Sequence, residues 1–235
     1  MNYQKKTTSQ SGNPSFLAAY IDHTLLKPEA TAEQIESLCR EAIEAQFTCV
    51  CINPSYVELA SKLLAGTGVS VCTVISFPLG ASTTNAKIAE TKEAISNGAK
   101  EIDMVINIGA LKSGDLEKVK LDTAAVVSAA SGKTKVKVII EACLLNNEEK
   151  VLACQIAKQA GADFVKTSTG FSTSGASIED VKLMRETVGP EMGVKAAGRI
   201  RDAEMAKAMI DAGATRLGTS NSLAIISSQK GLVDY

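Results

Sequence analysis

Lys166, Lys195 and Asp103 have the types and positions for covalent carbonyl chemistry. Lys166 stands in Gly161-Ala162-Asp163-Phe164-Val165-Lys166-Thr167-Ser168-Thr169-Gly170, where a helical pattern stops at Gly161 and a short β-favouring run leads straight into the lysine. Lys195 ends the next such run, Gly193-Val194-Lys195, one helical pattern further on. A lysine amine titrates near 10.4, so making it neutral near pH 7 costs about 4.6 kcal/mol. On neighbouring strands the two ammoniums would lie ~5 Å apart and repel by about 3 kcal/mol at an effective dielectric of ~20. Partial burial acts in the same direction. Together these leave one amine free to attack a carbonyl and form a Schiff base. Asp103 lies inside the otherwise apolar run 101–107, and a buried carboxylate needs a partner. Paired with the lysines, it would complete an acid–base set around a nucleophile. The plainer alternatives are two solvated strand-end lysines and an Asp103 held by a structural arginine.

Positioning these residues requires strands whose ends meet, and the chain's pattern supplies them. Strands are expected at 20–22, 48–52, 70–75, 101–107, 135–141, 163–167, 193–196 and 215–218. They are near-continuous apolar runs, as parallel strands buried on both faces should be. Between them, helices are expected at 84–97, 115–130, 147–160, 177–188 and 202–212, with a short one from Asn221. Thr31 and Gln34 form a capping box ahead of Ile35, Leu38, Cys39, Ala42 and Ile43 at helical spacing. A helix end, a Gly-Ala stop and a strand recur at Gly98-Ala99, Gly161-Ala162 and Gly213-Ala214. This is the repeating unit of an α/β fold of the (β/α)₈ TIM-barrel type, in which chemistry sits at the C-terminal ends of the strands. An open doubly wound sheet is disfavoured, because no Gly-rich dinucleotide or P-loop fingerprint is present. Residues 1–12 are polar and read as a flexible tail; residues 13–235 read as one barrel domain, with a short helix starting near Asn13-Pro14-Ser15.

Composition narrows the partners. A net charge of −1 gives no broad basic field for nucleic acid or anionic lipid. No apolar run is long enough to span a membrane, and the N-terminus lacks an apolar signal core. The six cysteines contain no C-x-x-C pair and read as buried free thiols of a cytoplasmic protein. With one histidine, His23, and no zinc-ligand spacing, no metal or other cofactor is expected. Barrels of this size are often dimers, so a homodimer is compatible with the chain, although no pattern marks an interface.

Further candidates lie at other strand ends. Asp22 could hydrogen-bond a polyol, or act as a loop cap. Two loops, Gly198-Arg199-Ile200-Arg201 and Gly218-Thr219-Ser220-Asn221-Ser222, follow the seventh and eighth expected strands, where barrels often hold phosphate.

From Tyr20 onward the chain resembles the deoxyribose-phosphate aldolase family. The resemblance rests on Asp22-His23-Thr24-Leu25-Leu26-Lys27-Pro28, Phe77-Pro78-Leu79-Gly80, Glu101-Ile102-Asp103-Met104-Val105-Ile106-Asn107, Phe164-Val165-Lys166-Thr167-Ser168-Thr169-Gly170-Phe171 and Val194-Lys195-Ala196, in that order. It implies a (β/α)₈ barrel that reversibly cleaves 2-deoxy-D-ribose 5-phosphate to D-glyceraldehyde 3-phosphate and acetaldehyde. It implies Lys166 as the Schiff-base lysine, with Asp103 and Lys195 as a proton relay working with a water. Asp22, Thr24, Thr167, Gly198, Arg199, Gly218 and Ser220 are the implied substrate contacts. Family members often end in a tyrosine on a mobile tail that assists proton transfer, which makes Tyr235 a possible participant beside the plainer reading of a disordered end. The family's usual Lys-Ala-Ser-Gly-Gly-Ile-Arg is here Lys195-Ala196-Ala197-Gly198-Arg199-Ile200-Arg201. Arg199 thus replaces a glycine that lets backbone approach phosphate, and either blocks that approach or adds a charged donor. Two alternative functions stand beside this one. One is another Schiff-base phosphosugar aldolase or a transaldolase; the other is a catalytically weak sugar-phosphate binding protein.

Overall fold

The computed structural model describes residues 16–130, 132 and 134–227. The tail at 1–12, the helix start at 13–15 and Tyr235 lie outside the described residues. Eight strands close a parallel barrel in sequential order: β1 Ile21–Leu25, β2 Cys49–Ile52, β3 Ser70–Ile75, β4 Glu101–Val105, β5 Lys135–Ile139, β6 Phe164–Lys166, β7 Gly193–Ala197 and β8 Arg216–Thr219. Each pairs with its sequence neighbour, and β1 closes on β8. The outer helices are α1 Ala32–Ala45, α2 Val57–Leu63, α3 Thr84–Ser96, α4 Ile108–Lys112, α5 Leu116–Ala130, α6 Asn147–Gln159, α7 Ile178–Val188, α8 Ala203–Asp211 and α9 Ser222–Ile226. No helix among the described residues is long and apolar enough to cross a membrane.

Local chemistry sets these boundaries. The capping box of α1 is formed: Thr31 Oγ1 accepts from Gln34 N, and Gln34 Oε1 accepts from Thr31 N. Asn146 and Glu149 form a second one at α6. The expected strand 101–107 stops at Val105, because Asn107 caps α4 by accepting from Ala110 N at 3.0 Å. α4 is too short to show helical periodicity, so the sequence pattern runs the strand through its cap. Conversely, β1 extends to Leu25 and β7 to Ala197, beyond the expected ends. Lys195 therefore sits in mid-strand and deeper than a strand-end residue.

The core is the apolar layer between barrel and helices, with Ile21, Ile52, Ile75, Ile102, Val138, Val165, Val194 and Leu217 fully buried or nearly so. One ion pair crosses it. Lys87 on α3, fully buried, donates to Asp122 on α5 at 2.5 Å and to the Val105 carbonyl at 2.9 Å, tying two helices to the end of β4. All six cysteines are free; five are buried and Cys143 is half-buried.

Candidate active site

Side chains alternate faces along a strand, so Glu101 and Asp103 both point inward from β4. The parallel register sets Asp103 beside Lys137 on β5, and Lys166 beside Lys195 on β6 and β7. Asp103 is the hub. Its Oδ2 accepts from Lys166 Nζ at 2.8 Å and from Lys195 Nζ at 2.7 Å, while Oδ1 accepts from Lys137 Nζ at 2.7 Å. Lys195 also donates to Asp22 Oδ2 at 2.5 Å. Lower in the barrel, Lys137 meets Glu101 Oε2 at 2.6 Å, and Arg216 donates to Asp22 Oδ1 at 2.7 Å and Glu101 Oε2 at 2.9 Å. Asp22, Asp103, Lys137 and Lys195 are completely buried, and Lys166 is 2% exposed.

Burying this many charges costs several kcal/mol per ion unless each is paired and hydrogen-bonded. Four buried cations (Lys137, Lys166, Lys195, Arg216) face three carboxylates (Asp22, Glu101, Asp103), while Lys135, largely in solvent, touches Glu101 Oε1 from outside at 4.0 Å. With Lys166 uncharged, the set balances. Lys166 also has the fewest ionic partners, one carboxylate oxygen that it shares with Lys195.

The electrostatics hold the other members in their charged forms. Burial pushes the Asp103 carboxyl up, but the neighbouring lysines, Lys137 foremost, outweigh it and hold the acid well below the usual carboxylate range. Asp22 is likewise lowered against its burial by Lys195, Lys137 and Arg216. Burial alone would lower Lys195, yet Asp103 and Asp22 raise it well above an ordinary lysine, and Lys137 is raised by Asp103 and its other anionic neighbours. This revises the simple two-lysine picture. Lys195 is no bare ammonium repelling Lys166 across ~5 Å, because a carboxylate oxygen bridges the two. Of the four buried cations, Lys166 is the one the three carboxylates leave without a partner of its own.

The other expected site residues occupy definite places. The polyol role expected for Asp22 meets a carboxylate whose two oxygens are taken by Lys195 and Arg216. Thr24 is buried and donates to the Asp22 carbonyl. Thr167 Oγ1 bridges to β7, accepting from Ala197 N and donating to Ala197 O. A Cβ on Gly218 would lie 2.9 Å from Lys195 Cε, so this glycine makes room for the lysine. Gly198 packs its backbone against Gly175, where a Cβ on Gly175 would fall 2.3 Å from the Gly198 carbonyl oxygen. Arg199 is exposed, keeps a glycine-like φ of 63°, and donates from Nη2 to the Thr173 carbonyl at 2.7 Å. Ser220 is half-buried beside His23 and Thr24.

Lys137, Glu101 and Arg216 were not among the candidates, although each is a charge within an apolar strand, the signal that singles out Asp103. His23 joins β1 to two other elements through Ser222 Oγ at 2.9 Å and Glu41 Oε2 at 2.8 Å. Glu141 pins the segment after β6 by accepting from Thr169 N and Oγ1. Among the described residues, two clusters have metal-ligand composition, Cys51 with Cys72 and Asp103, and Asp22 with Cys49 and Glu101. Their carboxylates already bind the lysines and Arg216, so protein cations occupy the positions a metal would take.

Residues 16–228 match the model of the DeoC/LacD family of aldolases. The chain belongs to that family. A deoxyribose-phosphate aldolase from Brevibacillus brevis is 62% identical over 211 residues, covering 90% of this chain and 95% of the relative. One from Clostridium perfringens is 65% identical over 209 residues, covering 89% and 93%. Among solved structures, a tetrameric deoxyribose phosphate aldolase from Aeropyrum pernix superposes with a TM-score of 0.86 at 38% identity, over 92% of each chain.

Proposed function

We propose that this family member cleaves 2-deoxy-D-ribose 5-phosphate reversibly to D-glyceraldehyde 3-phosphate and acetaldehyde, with Lys166 as the Schiff-base lysine. The observation that carries the assignment of roles is the single carboxylate oxygen, Asp103 Oδ2, shared by Lys166 and Lys195 inside a buried set that balances when Lys166 is uncharged. The names of the close relatives supply the substrate.

The neutral Lys166 amine attacks C1 of the open-chain sugar, and the carbinolamine loses water to give an iminium. Removal of the C3 hydroxyl proton lets that oxygen form the aldehyde of glyceraldehyde 3-phosphate as the C2–C3 bond breaks. The bonding pair moves into the C1–C2 bond, and the iminium nitrogen accepts the displaced pair to give an enamine. Protonation at C2 and hydrolysis release acetaldehyde and restore the amine. Lys195 and Asp103, joined at 2.7 Å, carry the protons together with a water. Gly198, Arg199 and Ser220 belong to the loops proposed to hold the phosphate, Gly218 lies in β8 just before the second of them, and Thr24, Thr167 and Asp22 stand by the sugar end. One domain over residues 13–235, a role for Tyr235, a cytoplasmic setting and a homodimer complete the proposal.

Acetaldehyde with borohydride tests it: a stable two-carbon adduct should appear on the Lys166 peptide, alongside cleavage of deoxyribose 5-phosphate. Preference for a ketose donor would point to a transaldolase. A folded protein that binds the sugar phosphate without forming an adduct would be a binding protein.

A further inference from the structure

Lys137 has no part in the steps above, yet it is among the most engaged side chains in the barrel. It is completely buried and roots on β5 opposite Asp103 and Phe164, two residues nearer the N-terminal end than the Lys166 level. Its ammonium meets Glu101 Oε2 at 2.6 Å, Asp103 Oδ1 at 2.7 Å, Cys72 Sγ at 3.2 Å and Asp22 Oδ2 at 3.7 Å. Its ammonium has no surface open to a substrate.

A carboxylate can rotate about its Cβ–Cγ bond, exchanging the oxygen it offers to a partner. Asp103 has a fixed job for each oxygen: Oδ2 faces both upper lysines, and Oδ1 faces Lys137 and the Cys72 thiol, which donates to it at 3.1 Å. We propose that Lys137 is a positioning residue for the cleavage chemistry: by holding Asp103 Oδ1 from below, it keeps Oδ2 aimed at Lys166 and Lys195. This rests on the reaction proposed above and acts entirely through Asp103.

The same contact keeps Asp103 ionised. Every charged or titratable group facing Asp103 enters the balance: Lys137, Lys166 and Lys195 favour the anion, while Asp22, Glu101 and the burial shared with Cys51 and Cys72 oppose it. Removing Lys137 should raise the Asp103 acid from its depressed position. Activity that needs the anion would then fail at a higher pH on the acid side.

The test is Lys137→Met, beside the parent and the double variant Lys137→Met/Glu101→Gln. The double variant removes one cation and one anion, so the buried set still balances with Lys166 neutral. For Lys137→Met we expect kcat to fall by about 30-fold, short of the ~10²–10⁴-fold that general acid–base groups themselves contribute. KM should change little, and the acid limb of the pH–rate profile should move to higher pH. In the double variant, acetaldehyde–borohydride trapping at Lys166 should recover while kcat and the shifted acid limb do not. A double variant restored to within about 3-fold of parental turnover would reduce Lys137 to charge balance and overturn the proposal. So would a folded Lys137→Met with parental kcat and pH profile. A parent that neither cleaves deoxyribose 5-phosphate nor traps acetaldehyde would instead overturn the proposed function.

Discussion

Arg199 reaches from the loop after β7 to the Thr173 carbonyl in the segment after β6, donating from Nη2 at 2.7 Å. It does so from a backbone with φ of 63°, a conformation that costs a side-chain-bearing residue roughly 1–2 kcal/mol. A glycine at this position would avoid that strain and would lose the tether. The tether joins two loops already in backbone contact through Gly175 and Gly198.

Arg199→Gly should therefore change stability little. Relief of strain offsets the loss of an exposed hydrogen bond worth about 0.5–1.5 kcal/mol. Its effect should fall on recognition: KM for deoxyribose 5-phosphate should shift, with a smaller shift for unphosphorylated deoxyribose. Steady-state kinetics on both sugars decides this, and equal shifts would remove Arg199 from the phosphate end.

Lys195→Leu should be severe for two separable reasons. Asp22 and Asp103 each lose a buried cation, a change that typically costs about 3–5 kcal/mol. The remaining cations, Lys137, Lys166 and Arg216, then match the three carboxylates only when Lys166 is charged. Turnover should fall by on the order of 10²–10⁴-fold. Borohydride trapping of acetaldehyde should slow as well, because the free amine is scarce. Trapping at the parental rate would show that Lys195 does not govern the charge on Lys166.

Gly218→Ala tests the space that Lys195 needs. Its backbone is not in the left-handed region, and the nearest obstacle to a Cβ is Lys195 Cε at 2.9 Å, close to the end of a flexible side chain. Ala197 Cβ crowds the methyl as well at 3.1 Å, so the midpoint of thermal unfolding should drop as the fully buried Lys195 chain is displaced. The ammonium moves with it, away from Asp103 and Asp22. Misplacing a catalytic group by ~1 Å can cost 10²-fold, and a loss of kcat approaching that is expected. Activity within a few-fold of the parent would mean that Lys195 adapts without loss.

The barrel was legible in the sequence because parallel strands buried on both faces leave apolar runs, and because Gly-Ala stops punctuate the repeat. Lys166 and Asp103 were legible for related reasons, one as a lysine at the end of a short strand and the other as a charge inside an apolar one. Lys137 and Arg216 carry the same signal as Asp103, but a pairwise reading of neighbouring strands does not count charges around a closed barrel. The balance of four cations and three carboxylates appears only when β1, β4, β5, β6, β7 and β8 are brought round one axis. The depth of Lys195 was hidden by Ala196-Ala197, which give little indication of where a strand ends. Gly218 read as a phosphate-loop glycine because its sequence does not show which side chain it must clear.

The same network should set the acid limit of stability. Burial raises Asp22, Glu101 and Asp103, but their cationic partners lower all three below ordinary carboxylates. Unfolded aspartate and glutamate titrate near 3.9 and 4.3, so the unfolded chain takes up these protons first as pH falls. The stability they confer is therefore fully present above about pH 5 and is lost as pH drops below ~4 towards the folded values. Each such carboxylate adds about 1.4 kcal/mol per pH unit to the slope of unfolding free energy in that window. Urea unfolding followed from pH 6 down to pH 3 should show a flat region and then a steep fall. Glu101→Gln removes one of the three groups, so its slope below pH 4 should be shallower by about one proton, whatever its stability at neutral pH. An unchanged slope would mean that Glu101 is not held ionised in the folded barrel.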